Sequence, residues 1–431
     1  MIKTYRKNQL IRNYLGLKND PIGFLSKILE ECGEIARIRI FPVRFYLVND
    51  PEMIREALVE KHSIFIIKGG VSAGLARLIG RGILTNHGEN WRESRRSLQP
   101  FFQHEAIQAY FPKMTDRVKE SLQRWSSNYE GKSFSLNREL VILSYRIKCS
   151  TLFQTLPTFE DAEKFADAMW VLQSDGMKRH MTGLDFFSWI PTPQNRRVNR
   201  ARRVMITLAE KLIEQGAPQA LPEILSLLFA GTEAPANTLV WTIQLLDDHP
   251  EWIEKLSEHF SKWDSQTFHE NVEKVDVLSQ VISESIRIYP AGWAFERYAA
   301  ETTTLGDEVI EKGSRLLFSP FLLHRNRRFW KDPEKFDPLR FEVGSNNPVG
   351  IPKYGYLPFG AGPRSCIGSR LAWAEMRTVL SMLLIHGRFE LEKHPEDCAL
   401  NAEGSFKIRF NRPLFVRMES NREPQSVLQL N

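Results

Sequence analysis

The residues most suggestive of chemistry lie in one short segment, Phe359 to Gly368, which reads Phe-Gly-Ala-Gly-Pro-Arg-Ser-Cys-Ile-Gly. Gly360, Gly362 and Gly368 permit backbone conformations closed to other residues and let a flat ligand approach closely. Cys366 lies just before an apolar segment, where the free N–H groups and dipole of a helix favour a thiolate. A thiolate in such a place is a good axial ligand for haem iron. A cysteine considered alone is more often a small buried apolar residue.

The spacing of this segment resembles the haem-ligand loop of the cytochrome P450 superfamily, Phe-Gly-x-Gly-x-Arg-x-Cys-x-Gly. Every fixed position of that pattern is present, from Phe359 through Arg364 and Cys366 to Gly368. The resemblance implies that Cys366 is the metal ligand of a haem b (iron-protoporphyrin IX). It also places Phe359 and Arg364 among the residues that bind the cofactor.

A second match lies upstream, where Trp91-Arg92-Glu93-Ser94-Arg95 resembles the family's Trp-x-x-x-Arg. The resemblance implies that Trp91 and Arg95 bind a haem propionate, and that Arg297 and Arg364 occupy the other usual propionate-pairing positions. Two carboxylates near a low-dielectric pocket need such cationic partners. A Trp and an Arg one helical turn apart are equally able to stack as a cation–π pair.

A third match is Glu284-Ser285-Ile286-Arg287, which looks like the family's Glu-x-x-Arg, with Pro338-Leu339-Arg340-Phe341 matching its Pro-x-Arg-Phe segment. Taken alone, an i,i+3 pair is most often an ordinary surface ion pair. The resemblance implies a buried triad that holds the cysteine loop and carries no chemistry itself. These motifs occur in the family's order and cover the chain from about Asp20 to Met418.

The informative departure is in the predicted central helix, where the family pattern Ala/Gly-Gly-x-Asp/Glu-Thr-Thr/Ser reads Ala230-Gly231-Thr232-Glu233-Ala234-Pro235. The resemblance implies that small Ala230 and Gly231 leave room over the haem for a diatomic molecule, and that Glu233 relays protons. Ala234 replaces the threonine whose hydroxyl normally assists oxygen activation. Pro235 lacks an N–H, so it should kink the helix and open the Gly231 carbonyl to a water molecule.

This departure leaves several functions open. The chain is expected to be a haem-thiolate monooxygenase that inserts one oxygen atom of O2 into a lipophilic molecule, with a substrate hydroxyl or an ordered water replacing the threonine. The alternatives are an enzyme that uses peroxide directly and one that rearranges or dehydrates its substrate. Peroxide-using relatives typically carry Arg near the position of Glu233, which argues against the first alternative. A non-catalytic haem sensor is a more remote alternative, and an attached signalling domain would favour it.

The elements that must position these residues are mostly helical. Segments with apolar residues at three- and four-residue spacing predict amphipathic helices, and two more apolar segments predict buried ones. The predicted helices are Met114–Trp125, Ala201–Gln215, Trp252–Trp263, Ile224–Leu246 and Leu371–Ile385. Alternating residues predict a hairpin of Ala36–Ile40 and Phe45–Val48. We therefore expect a mainly α protein with a minor β-sheet, in the P450 fold with the haem between a long central helix and the cysteine loop.

Composition excludes several classes of protein. The 431 residues are 42% hydrophobic and 26% charged, which fits a chain with a large core and excludes disorder. No linker divides the sequence, so one domain is expected over 1–431, with 419–431 as a flexible tail. The 58 basic residues are interleaved with 52 acidic ones, so nucleic acid is not an expected partner. Four widely spaced cysteines and the lack of an apolar anchor or signal peptide predict a cytoplasmic protein, closer to the soluble bacterial members of the family.

The family resemblance and the composition also predict the substrate and the electron donor. The expected substrate is a lipophilic small molecule resembling a fatty acid, terpenoid or secondary metabolite. Its pocket walls are expected in Phe65–Ile79, Phe165–Phe187, Phe229–Ala234 and Ala291–Phe295. No flavin or iron–sulfur sequence accompanies these motifs, so electrons are expected from a ferredoxin or flavodoxin with its reductase. Arg92, Arg96 and Arg370 are candidates for the basic face on which that donor docks.

Overall fold

Helices make up most of the computed structural model, as the sequence predicts. The structure describes residues 3–5, 9–40, 43–176, 190–260, 272, 275–342, 350–386, 389–392, 400–401, 409–410 and 413–418. The helices are α1 Leu10–Asn19, α2 Pro21–Cys32, α3 Pro51–Arg55, α4 Gly70–Ile79, α5 Gly88–Leu98, α6 His104–Tyr129, α7 Leu136–Thr151, α8 Phe159–Val171, α9 Pro193–Glu214, α10 Leu221–Gly231, α11 Glu233–Asp248, α12 Pro250–Phe260, α13 Asp276–Ile288, α14 Pro320–Leu323 and α15 Ser369–His386.

Several of these helices begin at a side chain that caps them. The Asp20 carboxylate accepts a hydrogen bond from the Gly23 N–H at 2.9 Å, at the start of α2. Thr192 does the same for the Asn195 N–H at 3.1 Å, at the start of α9. Each satisfies an N–H group that the helix itself leaves unpaired, and a proline follows each cap at the first helical position.

The helices predicted from periodicity are present, with different ends. Two predicted segments lie inside α6 and α15. A third lies inside α9 except for its last residue, Gln215, which directly follows the helix. The fourth corresponds to α12, which runs to Phe260, and its predicted residues 261–263 lie outside the described part of the chain. The predicted tail, 419–431, also lies outside it.

The strands form a minor component that includes the predicted hairpin. They are β1 Lys3–Tyr5, β2 Ile35–Ile40, β3 Val43–Val48, β4 Phe65–Ile66, β5 Ser133–Ser135, β6 Phe295–Ala299, β7 Thr303–Leu305, β8 Glu308–Ile310, β9 Arg315–Phe318, β10 Phe389–Leu391, β11 Leu400–Asn401, β12 Arg409–Phe410 and β13 Phe415–Met418. A six-stranded sheet has the order β1-β2-β3-β9-β6-β4. Strands β2 and β3 are antiparallel, with Ile40 opposite Val43, so the second strand begins two residues earlier than predicted.

The predicted central helix is present as two helices, α10 and α11, which meet at Thr232. Pro235 has no N–H to donate to the Gly231 carbonyl four residues before it, so the hydrogen-bond ladder is interrupted between them. The helix is therefore interrupted as the proline predicts, but the break falls one turn before the proline and not at it.

The central helices lie in the core of the molecule. Helix α11 packs against α7, α13 and α15, and α15 packs against α6. Trp125 of α6 and Trp241 of α11 are fully buried among them. The segment before α15 is therefore attached to one of the most buried elements of the fold. Within the described residues, no helix is long and apolar enough to cross a membrane.

Candidate active site

The cysteine loop is a tight turn held by its own backbone. The Cys366 N–H donates to the Phe359 carbonyl at 2.9 Å. Gly360 and Gly362 have φ angles of +71° and +70°, which L side chains rarely adopt. A Cβ on Gly362 would also lie 1.9 Å from the Leu58 carbonyl oxygen, so the loop needs glycine in order to pack against the protein. Gly368 has neither constraint, because a Cβ there would meet its neighbours at ordinary contact distances.

Cys366 is exposed by surface area, yet its thiol lies deep among protein atoms. It therefore faces a space inside the molecule. Burial raises the pKa of this thiol above its ordinary value, while a hydrogen bond from the Gly368 N–H and the charge of Arg95 lower it. The N–H group before α15 thus favours the thiolate as expected, but desolvation outweighs its effect on the pKa. A bound metal ion deprotonates a coordinating thiol outright.

Three arginines from separate elements come together near the cysteine. Arg95 belongs to α5, Arg297 to β6 and Arg364 to the 3-10 turn Gly362–Arg364. Burial, followed by the charges of Arg297 and Arg95, lowers the pKa of Arg364 to about 9. Burial also lowers the pKa of Arg297 to about 10, against the opposing charge of Glu296. The shifts record cations that are desolvated and close to one another.

These guanidinium groups hydrogen-bond to backbone carbonyls. Arg95 donates to Ser365 at 2.9 Å, Arg297 to Glu296 at 2.9 Å and Arg364 to Asn86 at 3.0 Å. Among the described residues, no carboxylate forms an ion pair with any of the three. Convergent cations of this kind suit a ligand with two carboxylates, and an inward-facing thiol suits its metal. The residues present therefore fit a haem, with Cys366 as the axial ligand.

Trp91 stacks with a different arginine from Arg95, the partner that its spacing in the sequence suggested. The Arg364 guanidinium carbon lies 3.9 Å from the centroid of the Trp91 ring. The cation–π pair therefore joins α5 to the cysteine loop and does not involve Arg95, one turn along the same helix. This contact fixes the orientation of Arg364, which is the most strongly perturbed of the three arginines.

The pair Glu284–Arg287 is completely buried and bidentate. Arg287 donates to the two carboxylate oxygens at 2.6 and 2.8 Å, and to the carbonyls of His324 and Pro333 at 3.0 and 2.7 Å. Arg340 is more distant, at 3.4 Å from Glu284. The triad implied by the sequence therefore consists of a rigid central pair and one weaker, partly exposed arginine.

The central-helix residues divide between two sides of the helix. Ala230 and Ala234 line a cavity of about 330 Å³, and Ala234 lies where a threonine hydroxyl would face that space. The position of a Cβ on Gly231 points the other way, 3.4 Å from Cε of Lys148 in α7. The structure does not support the expectation that Gly231 leaves room over the haem, because its missing side chain lies on the side of Lys148 and not on the side of the cavity. Glu233 is buried but does not line the cavity.

That lysine belongs to a buried polar cluster which sequence analysis missed. Lys148 is paired with Glu375 of α15, whose other carboxylate oxygen accepts from the Ser144 hydroxyl at 2.6 Å. Burial raises the pKa of Glu375, and the charge of Lys148 opposes that shift. No local signal in the sequence links residues that are so far apart in the chain. The cluster ties α7 to the helix that follows the cysteine loop.

The cavity is built from the segments that the sequence named as pocket walls. Its lining includes residues 66–68, 72 and 75 of the first segment, 229, 230 and 234 of the third, and 291, 292, 294 and 295 of the fourth. Of the second segment, Gln173 lines the cavity, and residues 177–187 lie outside the described part of the chain. Sequence analysis missed Leu84, Glu296 and Tyr298. Arg297 is common to the cavity and to the arginine group.

The sequence matches known proteins over nearly its whole length. A profile described as Cytochrome P450 matches residues 8–221 and 216–413. The chain belongs to the cytochrome P450 family. It is accordingly an oxidoreductase of the P450 monooxygenase type that uses haem iron, an electron-transfer partner and O2 on lipophilic substrates.

Two curated P450 relatives come from Streptomyces species. The chain is 29% identical over 416 residues to Cyclooctat-9-en-7-ol 5-monooxygenase of Streptomyces melanosporofaciens, covering 90% of this chain and 88% of the relative. It is 27% identical over 401 residues to Pentalenene oxygenase of Streptomyces avermitilis, covering 86% and 87%. Among solved structures, CYP175A1 from Thermus thermophilus superposes with a TM-score of 0.78 at 24% identity, covering 97% of this chain and 100% of that one. The last likeness concerns the fold, which is the one the sequence implied.

Proposed function

We propose that this P450 carries one haem b held by Cys366 and hydroxylates or epoxidises a terpenoid-like small molecule. The observation that carries the proposal is that the apolar cavity and the cationic haem site share Arg297. When bound, the haem supplies the oxygen-activating iron. Arg95, Arg297 and Arg364 would bind its propionates, with Trp91 orienting Arg364 and Phe359 supporting the loop.

The cavity walls favour a largely apolar substrate. Ile66, Leu75, Leu84, Phe229 and Phe295 supply most of the bulk of its lining. Apolar walls with few polar groups bind by removing hydrocarbon surface from water, with the polar groups fixing orientation. The two Streptomyces relatives are named for a cyclooctatenol and for pentalenene, which supports a terpenoid over a fatty acid.

The chain's own contribution to proton delivery differs from the family pattern. Ala234 offers no hydroxyl to the cavity, so the proton has to come through a substrate hydroxyl or a water held near the break at Thr232. Glu233 is the nearest acid along the chain. We propose the substrate or water route over a peroxide-driven or non-oxygenating reaction, since the relatives are named as a monooxygenase and an oxygenase.

Electrons would come from a separate ferredoxin or flavodoxin with its reductase. Residues 1–431 would form a single catalytic domain.

The proposal is tested by supplying the holoenzyme with such a donor system, ¹⁸O2 and a panel of terpenes and terpene alcohols. Products are examined by mass spectrometry, and one labelled oxygen atom per product is the expected result. Unlabelled products, or isomers and dehydration products alone, would favour the non-oxygenating alternative.

The haem assignment is tested separately by spectroscopy. Reduction under carbon monoxide should give the strongly red-shifted Soret band of thiolate ligation. Cys366→Ala should lose that band, whereas the matched variant Cys32→Ala should keep it, because Cys32 is a free cysteine at the end of α2. A Cys366→Ala protein with the unchanged band would show that another residue binds the iron.

A further inference from the structure

We propose that Gln173 determines substrate specificity by hydrogen-bonding an oxygen atom that the substrate carries before it reacts. The oxygen would be a hydroxyl or a carbonyl group. The inference rests on the proposed function and narrows its substrate class from terpenoids in general to oxygenated ones.

Gln173 lies in a break from regular helix. It belongs to Leu172–Gly176, a single turn of π-helix directly after α8. Such turns are rare and occur frequently at functional sites, since they shift the phase of the side chains that follow. Here the turn places a side chain that is 1% exposed on the wall of the cavity.

The amide of Gln173 is poorly satisfied by the protein. Its Nε2 donates to the sulfur of Met169 at 3.4 Å, and a thioether is a weak acceptor. Among the described residues, its Oε1 accepts no hydrogen bond. An amide can donate two hydrogen bonds and accept two, and a buried amide without them is destabilising. Both donor and acceptor capacity therefore remain for a molecule in the cavity.

Three other polar residues around the cavity are engaged elsewhere or lie at its edge. Lys68 is exposed and lies 5.8 Å from the centroid of the Tyr298 ring. The Ser72 hydroxyl donates to the Thr85 carbonyl at 3.5 Å. Glu296 is paired with Arg315 at 2.7 Å. Gln173 is thus the buried neutral amide that faces the same space as Ala230 and Ala234.

The expected discrimination follows from this arrangement. A hydrocarbon in the cavity would leave the Gln173 amide without partners, whereas an alcohol or ketone of the same shape would supply them. Sites that are built to bind a substrate hydroxyl reject the analogue lacking it, because their own polar groups are then left unpaired. A reaction that installs oxygen must therefore precede this enzyme. One anchored oxygen would also fix which carbon of a smooth apolar skeleton faces the iron.

The test compares ligands that differ by one hydroxyl. Matched pairs of alcohol and hydrocarbon, such as menthol with menthane and cedrol with cedrane, are titrated against the holoenzyme by equilibrium dialysis. The wild type should bind at least one alcohol about tenfold more tightly than its hydrocarbon, a ratio typical of one net hydrogen bond. Gln173→Met should reduce that ratio to about one, mainly by weakening the binding of the alcohol.

The matched control is Gln219→Met. Gln219 is also a buried glutamine with an unpaired Oε1, but its Nε2 donates to the Leu152 carbonyl at 3.0 Å and it does not line the cavity. This variant should retain the wild-type ratio. Equal ratios in the wild type and Gln173→Met would overturn the inference while leaving the terpenoid proposal standing. If no member of any pair binds or reacts, both proposals fail. Because each ratio is internal to one protein, a loss of stability in either variant does not imitate the effect.

Discussion

At the scale of single residues, the proposed route of proton delivery depends on the hydroxyl that Ala234 lacks. Its side chain lines the cavity but offers no hydroxyl to hold a water or donate a proton. Ala234→Thr should restore one. For substrates without a suitable hydroxyl, we expect the variant to release less hydrogen peroxide and form more product per electron pair consumed. The measurement is product and peroxide per NAD(P)H oxidised across a substrate series.

The control for that prediction is Ala234→Val, which has the shape of threonine without the hydroxyl. Valine should not improve coupling, so any benefit shared by the two variants would come from filling space. Tight coupling of every substrate in the wild type would refute substrate assistance and leave delivery by water. Gly231 is not a suitable target for this experiment, since its side-chain position faces Lys148.

A functional residue could be predicted from the sequence where neighbouring residues alone determine its conformation. Cys366 and its glycines follow from one ten-residue pattern, because a turn with positive φ leaves a direct record in the sequence. The partner of Trp91 could not be predicted from a local pattern, because the Trp91 ring lies beside Arg364, which is 273 positions later in the chain. The sequence named the segment around Gln173 as a pocket wall but did not single out this residue. Its role depends on a π-turn and on the packing of four distant segments.

At the scale of elements, the pair Glu284–Arg287 holds α13 to the segment that leads to the cysteine loop. Removing one partner strands a buried charge and costs about 3–5 kcal/mol. Glu284→Ala should therefore lower the free energy of unfolding by that amount and yield protein with little haem. Arg340→Ala should cost only about 1 kcal/mol, because Arg340 is 3.4 Å from Glu284 and partly exposed.

The matched control is Glu334→Ala, which removes an ion pair to Arg325 from a carboxylate that is 69% exposed. It should change stability by less than about 1 kcal/mol. Denaturant unfolding and the haem-to-protein ratio report both effects. A Glu284→Ala protein that is stable and fully loaded but inactive would show that the carboxylate acts in turnover.

The helices were predictable where one face is buried, because a 3.6-residue period then appears in the sequence. The ends of the helices, and the interruption of the central helix, were less predictable. Pro235 predicted a kink, but the lost hydrogen bond belongs to Gly231, and the break falls at Thr232. Strands β6 and β9 escaped prediction because they are short and pair across a loop. Arg297 lies on the first of them, so the sequence named the residue without its element.

At the scale of the whole molecule, the site exists only where distant elements meet. The cysteine, the arginines and the cavity wall come from α5, β6, the cysteine loop and the start of α11. The family resemblance implied that these elements meet, whereas no single segment of the sequence did.

The surface of the molecule also has to admit electrons to this site. Arg96 and Arg370 are exposed. Arg96 follows Arg95, which contacts Ser365 of the loop, and Arg370 is four residues after Cys366. Arg92 is exposed too, but Glu89 pairs with it at 2.9 Å.

We therefore expect charge reversal beside the loop to slow electron delivery. Arg96→Glu and Arg370→Glu should each reduce the second-order rate of haem reduction by a ferredoxin or flavodoxin about tenfold at low salt, since complementary charges accelerate encounter. The difference should shrink at high ionic strength, where exposed charges are screened. Stopped-flow reduction kinetics measure it. Arg203→Glu, an equally exposed change in α9, is the control and should leave the rate unaffected. If it slows reduction as much as the other two, the effect reflects net charge and the donor docks elsewhere.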